Sequence, residues 1–211
     1  PDARPLMVTI APELDGALET IAWLNEAGIV AAIGHTGATY AQARAGYAAG
    51  ARGTTHLFNG MPELLHREPG PPLAALDSGA YLELIFDGHH VAPELAAWIC
   101  FHYLQRAVFI TDAMAAAGLG DGEYALGGLP VTVEEGVARL HTGSLAGSTI
   151  TLEDAVANAV ASGVGLERAV AMATANPARY LALSGVGGFA PGDKADLISL
   201  DEQGRFRGYV L

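Results

Sequence analysis

Short apolar runs alternate along this chain with longer segments whose apolar residues recur at helical spacing. Met7-Val8-Thr9-Ile10 reads as a strand, closed by Ala11-Pro12-Glu13. From about Leu14 to Ala27, Leu18, Ile21, Ala22 and Leu24 share one helical face, and Gly28 suits the left-handed residue that stops a helix. A second strand, Val30 to Gly34, ends at His35. Thr39 and Gln42 have the spacing of a capping box, which opens an Ala-rich helix running to Gly50. The next β-branched and apolar run, Thr54-Thr55-His56-Leu57-Phe58-Asn59, lies between Gly53 and Gly60 and is expected to be a strand. A proline-rich loop from Met61 to Pro72 and a short helix over about 73–77 follow. They lead to a fourth strand, Tyr81 to Phe86, which ends in Asp87-Gly88-His89-His90. Pro93 is placed for a first helical turn, with the helix reaching about Gln105, and a fifth strand over 107–111 ends in Asp112.

Strand ends therefore fall at about residues 11, 35, 59, 87 and 112, the spacing of one βα unit each. Right-handed crossovers predict five neighbouring parallel strands with polar groups gathered at one rim, an α/β arrangement of the barrel kind. Beyond Asp112 the pattern changes. Residues 118–143 are Gly-rich with short alternating runs that read as β-hairpins, and Leu145-Ala146-Gly147-Ser148 reads as a tight turn. Helices are predicted over about 152–161 and 166–173, with a third, short one starting at Asn176-Pro177. The tail from Gly192 to Leu200 returns to strand character, with a hairpin through 201–204.

Composition narrows the functional classes. The 211 residues are 51% hydrophobic and 16% charged, rich in core-forming side chains. No run approaches the roughly 18 apolar residues of a membrane span, so no membrane partner is expected. A formal net charge of −12 argues against nucleic acid, whose phosphates demand a basic surface. An anionic small substrate would need a local basic cluster to overcome that field. The lone cysteine, Cys100, lies in an apolar helical pattern and reads as a buried structural thiol. Pro1-Asp2-Ala3-Arg4-Pro5 has no signal-peptide pattern, and the expected location is cytoplasmic.

His35 and His56 end consecutive predicted strands. Adjacent parallel strands are about 4.8 Å apart. Two imidazoles leaving one rim therefore reach a single metal at roughly 2.0–2.1 Å each, though a catalytic zinc usually takes three protein ligands. Asp112 suits a carboxylate that takes a proton from a metal-activated water and returns it to a leaving group. Asn59, the Gly60 backbone, Arg67 and His90 form a polar, partly cationic group suited to a phosphate. Local sequence leaves alternatives open. His56 also reads as a satisfied core histidine, Asp112 as a helix cap or loop residue, and Arg67 as a surface ion pair with Glu63 or Glu68. His89 and His90 also read as a solvated loop pair. His66, His102 and His141 have no partners that the sequence names.

Several motifs, in order and spacing, resemble the N-acetylglucosamine-6-phosphate deacetylase family. They are Ala11-Pro12-Glu13, Gly34-His35-Thr36, Thr55-His56-Leu57-Phe58-Asn59-Gly60-Met61-Pro62, Arg67-Glu68-Pro69-Gly70, Asp87-Gly88-His89-His90-Val91, Thr111-Asp112-Ala113, Leu145-Ala146-Gly147-Ser148 and Pro191-Gly192-Asp193-Lys194-Ala195-Asp196-Leu197. The resemblance covers nearly the whole chain. It implies a metal-dependent amidohydrolase (β/α)8 barrel of TIM type with a small β-sandwich. Residues 1–190 are then the C-terminal portion of the barrel and 191–211 C-terminal strands of the sandwich. The implied reaction hydrolyses the acetamide of N-acetylglucosamine 6-phosphate to glucosamine 6-phosphate and acetate. The resemblance makes His35 and His56 metal ligands, most simply to Zn2+, with Fe2+ or another divalent ion in the same place. It makes Asp112 the general base and then acid. Asn59, Gly60, Arg67 and His90 become sugar-phosphate contacts, and Leu145 part of the segment lining the acetyl pocket. In this family the arginine serves the neighbouring subunit's site, which implies a homodimer. Where the family commonly has alanine, this chain has Gly60; a backbone N–H contact survives that change.

The family's third ligand, a glutamate, and a substrate histidine lie upstream of residue 1. Glu13 belongs to a different motif and does not take that role. The chain is therefore expected to be the C-terminal portion of a longer protein, weakly active or inactive alone. Five βα strands do not close an eight-stranded barrel, and the remaining edge would be apolar and unpaired. Two other functions are compatible with parts of this pattern. A cyclic-amide amidohydrolase would share the histidines and Asp112 without needing Arg67 and His90. A non-catalytic sugar-phosphate binder would release no acetate.

Overall fold

The structure is a computed structural model that describes residues 4–188, 190–191 and 196–210. In chain order the first elements are β1 (Met7–Ile10), α1 (Ala17–Glu26), β2 (Val30–Ile33), α2 (Tyr40–Ala48), β3 (Gly53–Thr54), α3 (Gly70–Ser78), β4 (Tyr81–Ile85), α4 (Pro93–His102) and β5 (Ala107–Ile110). They continue as β6 (Gly122–Leu126), β7 (Leu129–Glu134), β8 (Val137–Leu140), α5 (Leu152–Ala161), α6 (Leu166–Ala173), α7 (Ala175–Tyr180), β9 (Leu197–Leu200) and β10 (Phe206–Val210). The chain divides into two compact units. One comprises Pro1–Leu84, Gln105–Val108 and Thr174–Gly192; the other comprises Ile85–Leu104, Phe109–Ala173 and Asp193–Leu211.

The first unit is built on a sheet of order β1-β2-β3-β4-β5. β1 to β4 pair in parallel, with Met7 opposite Val30, Ile33 opposite Thr54, and Thr54 opposite Leu82. β5 joins through the Leu82 N–H, which donates to the Arg106 carbonyl at 2.8 Å. α1 and β2 bury Ile21, Leu24, Ala31 and Ile33 in one apolar cluster, with Val8 and Ile10 of β1 packed against it. The capping box of α2 forms as its spacing predicts: Thr39 accepts from the Gln42 N–H, and Gln42 accepts from the Thr39 N–H. α7 is seated by Asn176, which donates to the Ala107 carbonyl at 2.6 Å, and by Tyr180, which donates to Glu83 at 3.1 Å.

One predicted strand is much shorter than expected. Of the run 54–59 only Thr54 belongs to β3, which is Gly53–Thr54. Sheet bonding continues through the Thr55 and Leu57 N–H groups, which donate to Ile33 and Glu83 carbonyls. His56 and Phe58, however, have φ of 31° and 77°, which no strand accommodates, and the Asn59 N–H turns back onto the His56 carbonyl. Hydrophobicity marked the burial of this run correctly; it did not reveal the reversal. α3 begins earlier than expected, because Pro71 and Pro72 occupy first-turn positions where a missing N–H costs nothing.

In the second unit, β6, β7 and β8 form an antiparallel sheet in sequence order. Val131, Val133 and Ala138 of that sheet are buried with Met114, Ala116 and Ala146. α5 starts at a capping box made by Thr151 and Asp154. β9 and β10 pair as an antiparallel hairpin, and Arg205 and Phe206 bond to Asp154 and Glu153 of α5. The Gly192–Ala195 part of the tail motif lies outside the described residues. Cys100 is fully buried, and burial pushes its thiol up to about 12, as suits a structural role. Among the described residues no helix is long and apolar enough to cross a membrane.

Candidate functional site

His35, His56 and Asp112 each sit two residues beyond the last residue of β2, β3 and β5, respectively. Each is left-handed, with φ of 47°, 31° and 48°. A left-handed backbone costs a residue with a side chain roughly 1–2 kcal/mol and persists only where the surroundings hold it. The three residues that sequence reasoning assigned to the chemistry thus share an uncommon backbone state, each two residues past the end of its strand.

The β2–β3 register carries the two histidines to one place. Ile33 is opposite Thr54, and His35 and His56 continue at the same offset. Their Nε2 atoms lie 2.7 Å apart, the ring centroids 4.5 Å apart and the ring planes at 79°. His56 is buried at 4% exposure, whereas His35 is exposed. Gly60 closes over both rings: a Cβ there would lie 3.3 Å from His35 Nδ1 and from His56 Cε1. The Asn59 side-chain amide donates to the His56 and Leu57 carbonyls, so part of its hydrogen bonding holds its own turn.

The β1 and β2 turns are joined by Glu13. Its carboxylate accepts from the Thr36 hydroxyl at 2.5 Å and the Gly37 N–H at 2.6 Å, while the Thr36 N–H donates to the Gly60 carbonyl at 3.0 Å. Burial pushes the Glu13 carboxyl up, but the Thr36 hydroxyl and the backbone N–H groups outweigh it and leave it below the ordinary carboxylate range.

The amidohydrolase family model matches residues 7–207. The chain belongs to the amidohydrolase family. Among curated proteins, this amidohydrolase chain is 46% identical over 198 residues to N-acetylgalactosamine-6-phosphate deacetylase of Escherichia coli O157:H7, covering 92% of this chain and 52% of that protein. It is 42% identical over 187 residues to N-acetylglucosamine-6-phosphate deacetylase of Vibrio furnissii, covering 86% of this chain and 46% of the relative. The chain thus spans about half the length of these curated relatives. Among solved structures it resembles a variant of N-acetyl-D-glucosamine-6-phosphate deacetylase from Mycobacterium smegmatis in complex with N-acetyl-D-glucosamine-6-phosphate. That match has a TM-score of 0.91 at 48% identity, over 97% of this chain and 55% of the other. The fold is accordingly the α/β barrel type of these amidohydrolases.

The family is metal-dependent, and the histidine pair fits a metal. With their Nε2 atoms 2.7 Å apart, His35 and His56 would offer two imidazole nitrogens to one cation. Among the described residues no group of three His, Cys, Asp or Glu converges on one point.

The remaining predicted residues have other neighbours. Arg67 is exposed on the loop before α3 and donates to His66 Nε2 at 2.7 Å, giving His66 a partner that the sequence did not name. Arg67, Glu63, Leu65 and Pro69 line a groove of about 620 Å³ against the start of α2. His90, Asp112 and Leu145 belong to the second unit. His90 is not a solvated loop residue. Its side chain is 5% exposed, and its Nδ1 lies 2.6 Å from the Asp87 carboxylate, which also accepts from the His89 and His90 N–H groups. Burial raises the Asp87 carboxyl, yet the His90 ring and these N–H groups hold it below the usual range. Sequence reasoning missed Asp87 as a support; an Asp followed by Gly at a strand end was the available signal for such a turn. Leu145 is half-buried and pairs with Arg139 at the edge of β8. His102, also without a predicted partner, stacks on Trp98 at 4.2 Å and bonds its carbonyl.

Proposed function

We propose that the protein carrying this chain hydrolyses the acetamide of N-acetylglucosamine 6-phosphate, releasing acetate and glucosamine 6-phosphate in amino-sugar catabolism. The observation that carries this reading is the convergence of His35 and His56 Nε2 atoms at 2.7 Å, in a chain whose relatives are named for this reaction class. His35 and His56 would hold a divalent metal, Zn2+ in our reading, which when bound would supply Lewis acidity to the acetamide carbonyl and lower the pKa of water toward about 7. Asp112 takes the proton from the attacking water and delivers it to the amine nitrogen as the C–N bond breaks. Asn59, the Gly60 N–H, Arg67 and His90 hold the sugar phosphate, and that remote anchorage orients the acetamide. The segment beginning at Leu145 lines the acetyl group's side of the pocket.

Arg67 is exposed and, among the described residues, donates to a neighbouring side chain in its own loop, which suits a residue serving a second subunit. We read the protein as a homodimer on that ground. A cytoplasmic location follows from the substrate, since a sugar phosphate carries about two negative charges and is retained within the cell. N-acetylgalactosamine 6-phosphate is the second substrate to test, because a 46% identical relative is named for it.

Acetate release from both sugar phosphates by the metal-loaded natural protein tests the reading. Asp112→Asn is expected to lower kcat by about 10³-fold or more with metal still bound. Near-normal turnover in that variant would remove Asp112 from the role. Sugar-phosphate binding with no acetate release by the unaltered protein would convert the reading to a binding protein.

A further inference from the structure

Ser148 closes the turn that begins at Leu145; it is buried at 3% exposure, and the proposed chemistry gives its hydroxyl no task. Its polar groups nevertheless all engage the turn that carries Asp112. The Ser148 N–H donates to the Asp112 carbonyl at 2.8 Å, and the Ser148 carbonyl accepts from the Met114 N–H at 2.9 Å. Its hydroxyl donates to the Thr111 carbonyl and accepts from the Ile150 N–H at 3.4 Å. Ala113 and Ser148 form an isolated parallel bridge. One distant residue therefore bonds the backbone immediately before, at and beyond Asp112, which is itself held at a φ of 48°.

The neighbouring residue makes this approach possible. Gly147 has a φ of 70°, and a Cβ there would stand 2.8 Å from the Asp112 carbonyl oxygen. Any side chain would push the Ser148 segment off the turn. Aspartate tolerates a left-handed backbone better than most residues, but without the clamp the extended state that continues β5 is open to it as well.

We propose that Ser148 is a positioning residue, whose clamp on the 111–114 backbone fixes the left-handed state of Asp112 and so aims its carboxylate. This rests on the reading of Asp112 as the proton-transfer group. A carboxylate displaced by about 1 Å loses on the order of 100-fold in rate without losing substrate affinity.

The test compares Ser148→Thr with Ser148→Val, nearly equal in shape and differing in the hydroxyl, in the metal-loaded natural protein with N-acetylglucosamine 6-phosphate. Ser148→Thr is expected to keep kcat within about threefold, and Ser148→Val to lose at least about tenfold in kcat with KM within about twofold and metal content unchanged. Should the β-branched pair not fold, Ser148→Ala against the unaltered protein carries the same split. Equal kcat with and without the hydroxyl, or a loss confined to KM, overturns the proposal. Asp112→Asn, measured alongside, separates the two readings. If it retains turnover, the role of Asp112 fails; if it is inactive while Ser148→Val and Ser148→Ala are normal, only the clamp fails.

Discussion

His35 Nε2 and His56 Nε2 lie 2.7 Å apart because the sheet register, and not any local motif, brings them together. Ile33 pairs with Thr54, and each histidine follows its strand by two residues, so both side chains leave equivalent positions of adjacent strands. Replacing either histidine by alanine is expected to lower metal affinity by more than the roughly 10–100-fold typical of an outer-shell change. Metal stoichiometry after dialysis against a weak chelator measures it. Retention of full metal content by both variants would exclude the pair as ligands.

Gly53 of β3 lies directly against Tyr180 of α7. A Cβ at this position would meet Tyr180 Oη at 1.7 Å and Cζ at 2.3 Å. Tyr180 has little room to retreat, being buried, hydrogen-bonded to Glu83 and stacked on Tyr81 at 4.8 Å. Gly53→Ala is therefore expected to destabilise by about 3 kcal/mol, the upper end of ordinary overpacking. Denaturant unfolding reads the loss. Combining it with Tyr180→Ala should give much less than the sum of the single effects, because the second change removes what the first collides with. Additive losses would show that the contact is not the cause.

Patterns confined to one element were legible in the sequence. The capping box at Thr39 and Gln42, and the helices over 152–161 and 166–173, need only neighbouring residues and lie where the spacing put them. The histidine pair was legible because two strand ends one βα unit apart imply adjacency. What sequence reasoning missed depends on contacts made after folding. β3 stops at Thr54 because His56 and Phe58 turn left-handed; histidine adopts that state more often than most residues but still uncommonly, and phenylalanine carries no such preference, so residue type alone does not signal the reversal. The Ser148 clamp on Asp112 joins segments distant in sequence, and serine in a Gly-containing turn reads as an ordinary turn residue.

The Asp87–His90 pair predicts an acid-side stability change. Burial opposes ionisation of Asp87, but the His90 ring and the His89 and His90 N–H groups prevail, and its carboxyl stays below the ordinary value. A carboxyl with a lowered folded pKa stabilises the fold above its unfolded value, near 3.9, and loses that contribution as pH falls through the folded value. The stability difference between the natural protein and Asp87→Asn should thus be constant from neutral pH to about pH 5, and shrink below about pH 4. Urea midpoints across that range test it. A difference that grows on acidification would contradict the assignment.

Arg67 is expected to act on binding and not on the chemical step. It is exposed, lies on a loop, and its guanidinium is engaged by His66, a neutral acceptor that leaves its positive charge uncompensated in that contact. A phosphate is a better partner for that charge than an imidazole, because the hydrogen bonds become charge-assisted on both sides. Such bonds contribute about 1.5–3 kcal/mol each, so Arg67→Ala should raise KM for the phosphorylated sugar by roughly 10–100-fold with kcat changed much less. The same variant should handle unphosphorylated N-acetylglucosamine no worse than the natural protein does. Arg67→Lys should recover only part of the loss, since an ammonium keeps the charge but not the planar fork. Steady-state kinetics on the two sugars decide the matter: an equal loss on both would show that Arg67 supports the loop and does not recognise the phosphate.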